Sequence, residues 1–504
     1  MKDISKSKRI AKNTILLYIR MFISMIVSLY TSRVILNALG VLDFGLYNVV
    51  GGVVFMFSFL NIAMSVGIQR FFSYELGLKT SNITHLFASS INVQILISII
   101  VLFLAETIGF WFLNTKVVIP DDRLIAANWV YQSTIFSFVL IVITVPYTAF
   151  LLSKEKMDVY AFISILDTIL KLVIVIYITR FNGDKLITYA ILLFLVEVII
   201  ASIYFTYCSI KYDECKYTFC WNSSLINKLI KYSGWNLFGG VAAVCNNYGI
   251  NLILNLFFGP TVNAARGIAY QVNTAVTNFT TNFQTALNPQ IVKSYASGDY
   301  SFMESLIYKG AKYSFFLLLF ITLPLLINMP FVLKIWLKIV PEYSVIFTRL
   351  VILNSLIDCL SGTLMIASQA SGNIKIYQSV VGSLSLMNLP FAYLLIYMYD
   401  NPVAAFVSSI FIAIIALFIR LLIVSRLVPI SIMKFIKEVL SYVIVWGTIS
   451  IVIPIFIKNN MADDIYSFCF SSIICWCWIT MIFAIFCTKV EEKKFIINII
   501  KSKL

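Results

Sequence analysis

The chain has 504 residues, of which 60% are hydrophobic and only 12% charged. A soluble protein of this length carries about 25% charged residues, so the composition excludes a water-soluble enzyme and predicts an all-α polytopic membrane protein. The net charge of +15 calls for no nucleic-acid partner, because the basic residues gather at one membrane face, where anionic lipid headgroups attract them. Nine cysteines without a CxxC pair, and a single histidine, His85, give no spacing for a metal site; no metal and no cofactor is expected.

The N-terminus is basic and leads into an apolar run over 14–38. That run is too long for a signal-peptide core and ends without a small-residue cleavage site, so it reads as a retained span. Runs of roughly 20 apolar residues, the length a ~30 Å hydrocarbon core needs, predict about fourteen transmembrane helices. They lie near 14–38, 44–66, 88–112, 124–152, 159–179, 186–208, 233–258, 267–288, 313–336, 346–371, 378–399, 403–425, 439–457 and 465–487. Turns that follow odd spans are short, as at Gly40-Val41-Leu42-Asp43 and Asp400-Asn401-Pro402. Segments that follow even spans are mostly longer and more basic.

Of the 38 Lys and Arg residues, 25 fall in the N-terminus, the even-to-odd segments and the C-terminus, eight in the odd-to-even turns and five within spans. Positive residues stay on the cytoplasmic side, so both termini are expected in the cytoplasm. Amphipathic segments around Leu225 to Lys231 and around Phe495 to Ile500 are expected along the inner interface.

An internal repeat aligns Ile35 to Gly40 with Ile253 to Gly259, each followed by a span. Six spans separate the copies. An even number keeps their orientation, which predicts two six-helix lobes related by an axis along the membrane normal. The domains are then an N-lobe over 1–208, a cytoplasmic linker over 209–232, a C-lobe over 233–427, and two extra helices with a tail over 428–504.

Several spans are too polar for lipid. Asn247, Asn251 and Asn255 are spaced i, i+4, i+8, and Gln271, Thr274, Asn278, Asn282 and Thr285 step by three or four, so each set forms a stripe on one helix. Arg20, Ser24, Ser28 and Thr31 make another stripe in the first span, and Ser58, Asn61 and Ser65 one in the second. Such stripes are either walls of a hydrated cavity or interhelical hydrogen-bonding glue.

The segments Tyr30-Thr31-Ser32-Arg33, Leu39 to Tyr47, Ala264 to Ala269 and Asn288 to Gly298 are similar to those of the Wzx-type polysaccharide-export flippases. These belong to the multidrug/oligosaccharidyl-lipid/polysaccharide exporter superfamily. The resemblance implies two lobes that rock about a central cavity formed largely by helices 1, 2, 7 and 8. It implies a substrate, an undecaprenyl-pyrophosphate-linked glycan, carried from the inner to the outer leaflet. Partners expected with it are membrane lipids and other polysaccharide-assembly proteins.

A pyrophosphate suits arginine, whose guanidinium binds phosphate oxygens in a fork and stays charged. Arg20, Arg33 and Arg266 are therefore candidate headgroup contacts, with Arg70 a candidate contact on the cytoplasmic side. Arg33 and Arg266 lie near helix ends, where snorkelling to the interface is the alternative. The asparagines and Gln271 are candidates for sugar hydroxyls. A charge inside a span costs roughly 2.5–3.5 kcal/mol, so Glu197 and Asp358 are coupling candidates for an unidentified ion, H+ or Na+, or else partners in ion pairs within a lobe. Asp167 and Lys171, four residues apart, neutralise each other. Asp43 reads as a turn or helix-start residue, with a gating contact to Arg266 or Arg33 as the other reading. Pro146, Pro324, Pro330, Gly51-Gly52 and Gly239-Gly240 are candidate bending points.

Arginines outnumber acids in the proposed cavity, which favours a lipid-linked oligosaccharide flippase over an ion-coupled multidrug efflux transporter, whose cavity takes acids and aromatics. One histidine and no large outer loop argue against an enzyme. A scaffold without transport leaves the charges within spans without a role.

Overall fold

A computed structural model of the chain describes residues 2–55, 58–78, 83–115, 119–218, 220–337, 340–459 and 464–487. The amphipathic tail predicted around Phe495 to Ile500 lies outside these residues. The described chain is all-helical. Its helices are α1 (Lys2–Phe55), α2 (Ser58–Leu78), α3 (Ile83–Thr115), α4 (Asp121–Ser153), α5 (Met157–Arg180), α6 (Lys185–Lys211) and α7 (Ser223–Phe258). There follow α8 (Pro260–Ala296), α9 (Tyr300–Ile327), α10 (Met329–Leu337), α11 (Ser344–Ser371), α12 (Lys375–Tyr399), α13 (Ala404–Leu427), α14 (Ile432–Phe456) and α15 (Ile465–Phe486).

Among the described residues, twelve helices are long and apolar enough to cross a membrane. Of the other two predicted crossings, 44–66 includes residues outside those described, at 56–57. The second, 267–288, lies in α8, whose Asn, Gln and Thr residues lower its hydropathy without interrupting its 37 helical residues.

The first hairpin turns at Gly40 (φ 79°), where α1 kinks, and the seventh helix ends at Gly259 (φ 76°). A side chain at such a φ meets the backbone, so glycine suits both corners. These are the two glycines that the repeat sets against each other. One predicted span, 313–336, is broken in two: Pro324 lies near the end of α9, and the Asn328 amide and side chain both donate to its carbonyl (3.1 and 2.9 Å). Pro330 then occupies the first turn of α10, where its missing N–H costs nothing.

The chain divides into two compact units, Met1–Gly240 with Val292–Gly298, and Val241–Ile291 with Asp299–Leu504. Within unit 1, α4 packs on α2, α3 and α6, and α1 packs on α5. Phe72, Phe87 and Phe150 are fully buried there, and Phe150 and Phe87 meet edge-to-face at 6.1 Å. Within unit 2, α13 packs on α11 and α12, while α14 and α15 pack on α9. Trp476 of α15 stacks on Phe320 and donates to its carbonyl (3.1 Å). In lipid, apolar burial does little to drive helices together, so such close packing and interhelical hydrogen bonds hold each unit.

Candidate functional site

The α7–α8 hairpin carries one buried cation. Arg266 lies two turns into α8 and is only 6% exposed. Its Nη2 donates to the Asn247 side-chain oxygen (2.5 Å) and to the Asn247 carbonyl (3.0 Å), and its Nη1 donates to Asn251 (3.4 Å). The guanidinium also sits 4.4 Å over the ring of Tyr270, one turn further along. These contacts fold the side chain back onto α7. Among the described residues no carboxylate pairs with Arg266, and its Nε has no partner. Ser233 to Gly298 contains no Asp or Glu at all. Removing a charge from water without a counter-charge is costly, and the amide oxygens with the Tyr270 ring meet only part of that cost.

Around this cation the predicted stripes split into two roles. Asn247, Asn255, Gln271, Thr274 and Asn278 are exposed, Asn251 is half-buried, and Asn282 is buried and donates to the Asn278 carbonyl (2.8 Å). Thr274 and Thr285 donate to carbonyls one turn back in their own helix. With Gln271, Thr274 and Asn278 exposed, α8 presents amide and hydroxyl groups along one face. Further bonds between helices of unit 2 come from positions off the stripes. Asn388 donates to Asn246 (3.0 Å), Ser355 to Asn273 (2.8 Å), and Gln284 to the Cys359 carbonyl and Ser314 (each 3.1 Å).

The polar stripe of α1 lies within unit 1 and turns towards α5. The Arg20 guanidinium sits 5.0 Å over the Tyr160 ring, and Ser24 hydrogen-bonds Thr168 (3.2 Å). Thr31 lines a cavity of about 270 Å3 together with Tyr47, Tyr189, Lys171 and Glu197. Lys171 bridges Asp167 (2.8 Å) and, from α5 to α6, Glu197 (2.9 Å). The pair expected four residues apart is thus a triad with one carboxylate in excess. Arg33 is exposed in α1, two turns before the kink at Gly40. Arg70 is buried in α2 against the rings of Phe71, Tyr74 and Tyr232 at 4.8, 4.6 and 5.6 Å.

Within unit 1, Asp43 pairs with an arginine other than Arg33. Its partner is Arg123 at the start of α4 (2.5 Å), which also bonds Asp184 (2.9 Å). Burial pushes the Asp43 carboxyl up from its usual range, and the Arg123 guanidinium partly opposes this. Helix starts from three parts of unit 1 are tied by this one arginine. In unit 2, Asp358 faces Arg420 across 3.5 Å and accepts from Asn354 (2.9 Å).

No protein family's sequence profile matches the chain, and no curated protein matches it. Solved structures do. The fold is similar to the outward-facing conformation of a multidrug resistance MATE family transporter of the MOP superfamily, with TM-score 0.74 and 12% identity over 84% of this chain and 96% of that one. It is similar to a MOP superfamily transporter from Pyrococcus furiosus, described by the reverse polarity of its binding pocket, with TM-score 0.69, 13% identity and coverage of 84% and 96%. It is also similar to the MATE transporter ClbM in complex with Rb+, with TM-score 0.69, 15% identity and the same coverage, 84% and 96%. At these identities the likeness is one of fold: a MATE-like, two-lobed, all-helical architecture.

Proposed function

We propose that this chain is a membrane transporter that moves an undecaprenyl-pyrophosphate-linked oligosaccharide from the inner to the outer leaflet of a bacterial inner membrane by alternating access. The observation that carries the reading is Arg266, a buried guanidinium with no carboxylate partner among the described residues, in a stretch, Ser233 to Gly298, without a single acid. A pyrophosphate supplies the missing counter-charge, and guanidinium–phosphate hydrogen bonds are among the stronger ones. The open face of α8, with Gln271, Thr274 and Asn278, offers amide and hydroxyl groups to sugars and is ill suited to lipid. The polyprenyl tail stays in the hydrocarbon while the polar part crosses. Arg20, Arg33 and Arg70 are further candidate contacts for the headgroup.

The fold itself favours a second reading, ion-coupled multidrug efflux, because multidrug transporters share it. Cationic drugs call for acids, and the nearest chemistry of that kind is the carboxylate-rich Asp167–Lys171–Glu197 triad in unit 1.

The test is transport by the purified full-length chain in liposomes that contain a fluorescent polyprenyl-pyrophosphate-linked glycan. Wild type moves the glycan to the opposite leaflet, and Arg266→Gln lowers the rate at least about tenfold at equal protein incorporation. Normal rates in Arg266→Gln, or export of cationic dyes with no movement of the glycan lipid, would overturn the proposal.

A further inference from the structure

Unit 2 holds a second polar site, which shares Tyr270 with Arg266. A cavity of about 360 Å3 is lined from α7, α8, α11, α12 and α13. It lies in the size range of small-ligand pockets and has room for about twelve waters at ~30 Å3 each. Tyr270, whose ring carries Arg266, is also part of its wall. The cavity therefore adjoins the place where the arginine awaits an anion.

Among the described residues, three buried polar atoms of this cavity's lining residues have no partner: Arg420 Nε, Asn354 Oδ1 and Ser361 Oγ. Leaving a buried polar group unmet is costly, and together they form a mixed set of one donor, one acceptor and one hydroxyl that is either. Asp358 and Arg420 face each other at the wall, so the formal charge there is balanced. A bare cation would meet the guanidinium of Arg420, and an anion would meet the carboxylate of Asp358. A neutral ligand bearing hydroxyls suits both, because each hydroxyl donates and accepts. The wall is also held in place. Asn388, 2% exposed, donates to Asn246 and Ser409 (3.0 and 3.1 Å) and accepts from Ser408 (3.0 Å). Tyr377, equally buried, adds an aromatic surface.

We infer that this cavity is a binding subsite for a neutral monosaccharide unit, held by Arg420, Asn354 and Ser361. The inference rests on the glycan-lipid reading in one respect: the sugar that enters is taken to be the one linked to the pyrophosphate at Arg266. The cavity's own chemistry asks only for a neutral, hydroxylated ring.

The first arm of the test uses the purified full-length chain, titrated calorimetrically with glucose, galactose and N-acetylglucosamine. Wild type binds at least one of them saturably. Ser361→Ala, a small change with little demand on folding, weakens that binding about tenfold. Ala416→Leu, which fills the cavity from a wall position only 5% exposed, abolishes it. A cavity that holds water only gives no saturable binding of any of the three sugars, and that result overturns the inference. So does binding unchanged in both variants. The second arm uses the liposome assay. If wild type moves the glycan lipid and Ala416→Leu moves it at the same rate, the subsite falls and the transporter reading stands. If wild type moves none while the sugars bind and both variants weaken them, the transporter reading falls and the sugar site stands.

Discussion

Lys293, in the last turns of α8, lies 2.5 Å from Glu155 in the turn between α4 and α5. Most of α8 belongs to unit 2, yet residues 292–298 group with unit 1. The carboxylate is 1% exposed and the ammonium 21%. Arg9 approaches the other carboxylate oxygen at 3.4 Å, and Asn13 donates to the Glu155 carbonyl (3.4 Å). Glu155 holds a left-handed φ of 61° to reach this position. Breaking a buried pair from one side leaves a charge without compensation and costs up to about 3–5 kcal/mol. Glu155→Gln and Lys293→Met are each expected to lower the melting temperature of the detergent-solubilised chain markedly. The double variant should recover much of the loss, since it leaves neither charge stranded. Losses that simply add in the double variant would show that the two residues act independently.

The same end of α8 rests on α2 through a glycine. A β-carbon at Gly77 would lie 2.6 Å from the Ala296 β-carbon and 2.7 Å from the Lys293 carbonyl oxygen. Two of the three nearest atoms are backbone, so relief requires the helices to part. Gly77→Ala is expected to destabilise unit 1 by roughly 1–3 kcal/mol, as overpacking does, even though alanine is the better helix former. Thermal unfolding of the variant measures this, and an unchanged or raised melting temperature would contradict the packing described.

How much of this was legible in the sequence follows from range. Apolar length located the helices, and the stripes picked out α8 as a helix despite its low hydropathy. The repeat placed Gly40 against Gly259, and both prove to be left-handed corners. Among the charges, only the pair four residues apart, Asp167 and Lys171, was readable, because helical geometry fixes that spacing. Glu197 lies 26 residues from Lys171, Asp358 lies 62 from Arg420, Asp43 lies 80 from Arg123, and Glu155 lies 138 from Lys293. Spacing carries no signal at such separations; the packing of helices decides the partner. The inward turn of Arg266 onto Asn247 and Asn251 was hidden for a related reason. Its place near a helix start fits both an interfacial arginine and a buried one, and only the facing helix distinguishes them.

The Lys171 triad should respond asymmetrically to substitution. Among the described residues, Lys171 is the one cation that bridges Asp167 and Glu197. Lys171→Met leaves two carboxylates facing each other within the helix bundle, whereas Glu197→Gln leaves a matched pair. The first variant is expected to unfold at clearly lower temperature than the second. Adding Glu197→Gln to Lys171→Met should restore part of the difference by removing one of the stranded acids. Equal melting temperatures for the two single variants would show that the triad is not the electrostatic unit its distances indicate.

A pH dependence is expected where α4 ends. Lys154 donates to Glu214 in the helical turn after α6 (2.9 Å), and its ammonium also lies over the rings of Phe150 and Tyr212 at 5.3 and 5.7 Å. Burial works to raise the Glu214 carboxyl, but the hydrogen bond from Lys154 and a backbone hydrogen bond outweigh it, so the group sits below its usual range. A depressed carboxyl pKa in the folded state means stabilisation that is complete above the unfolded pKa of about 4.3 and fades as pH falls through the lower folded value. Both side chains are partly solvated, which limits the pair to about 1 kcal/mol or less. Glu214→Gln isolates this contribution, because Lys154 keeps its two rings when the carboxylate is gone. The variant should melt slightly below wild type near neutral pH. The two curves should converge in acid, once Glu214 of the wild type is itself protonated. A gap that persists unchanged into acid would assign the loss to packing of the glutamine rather than to the charge.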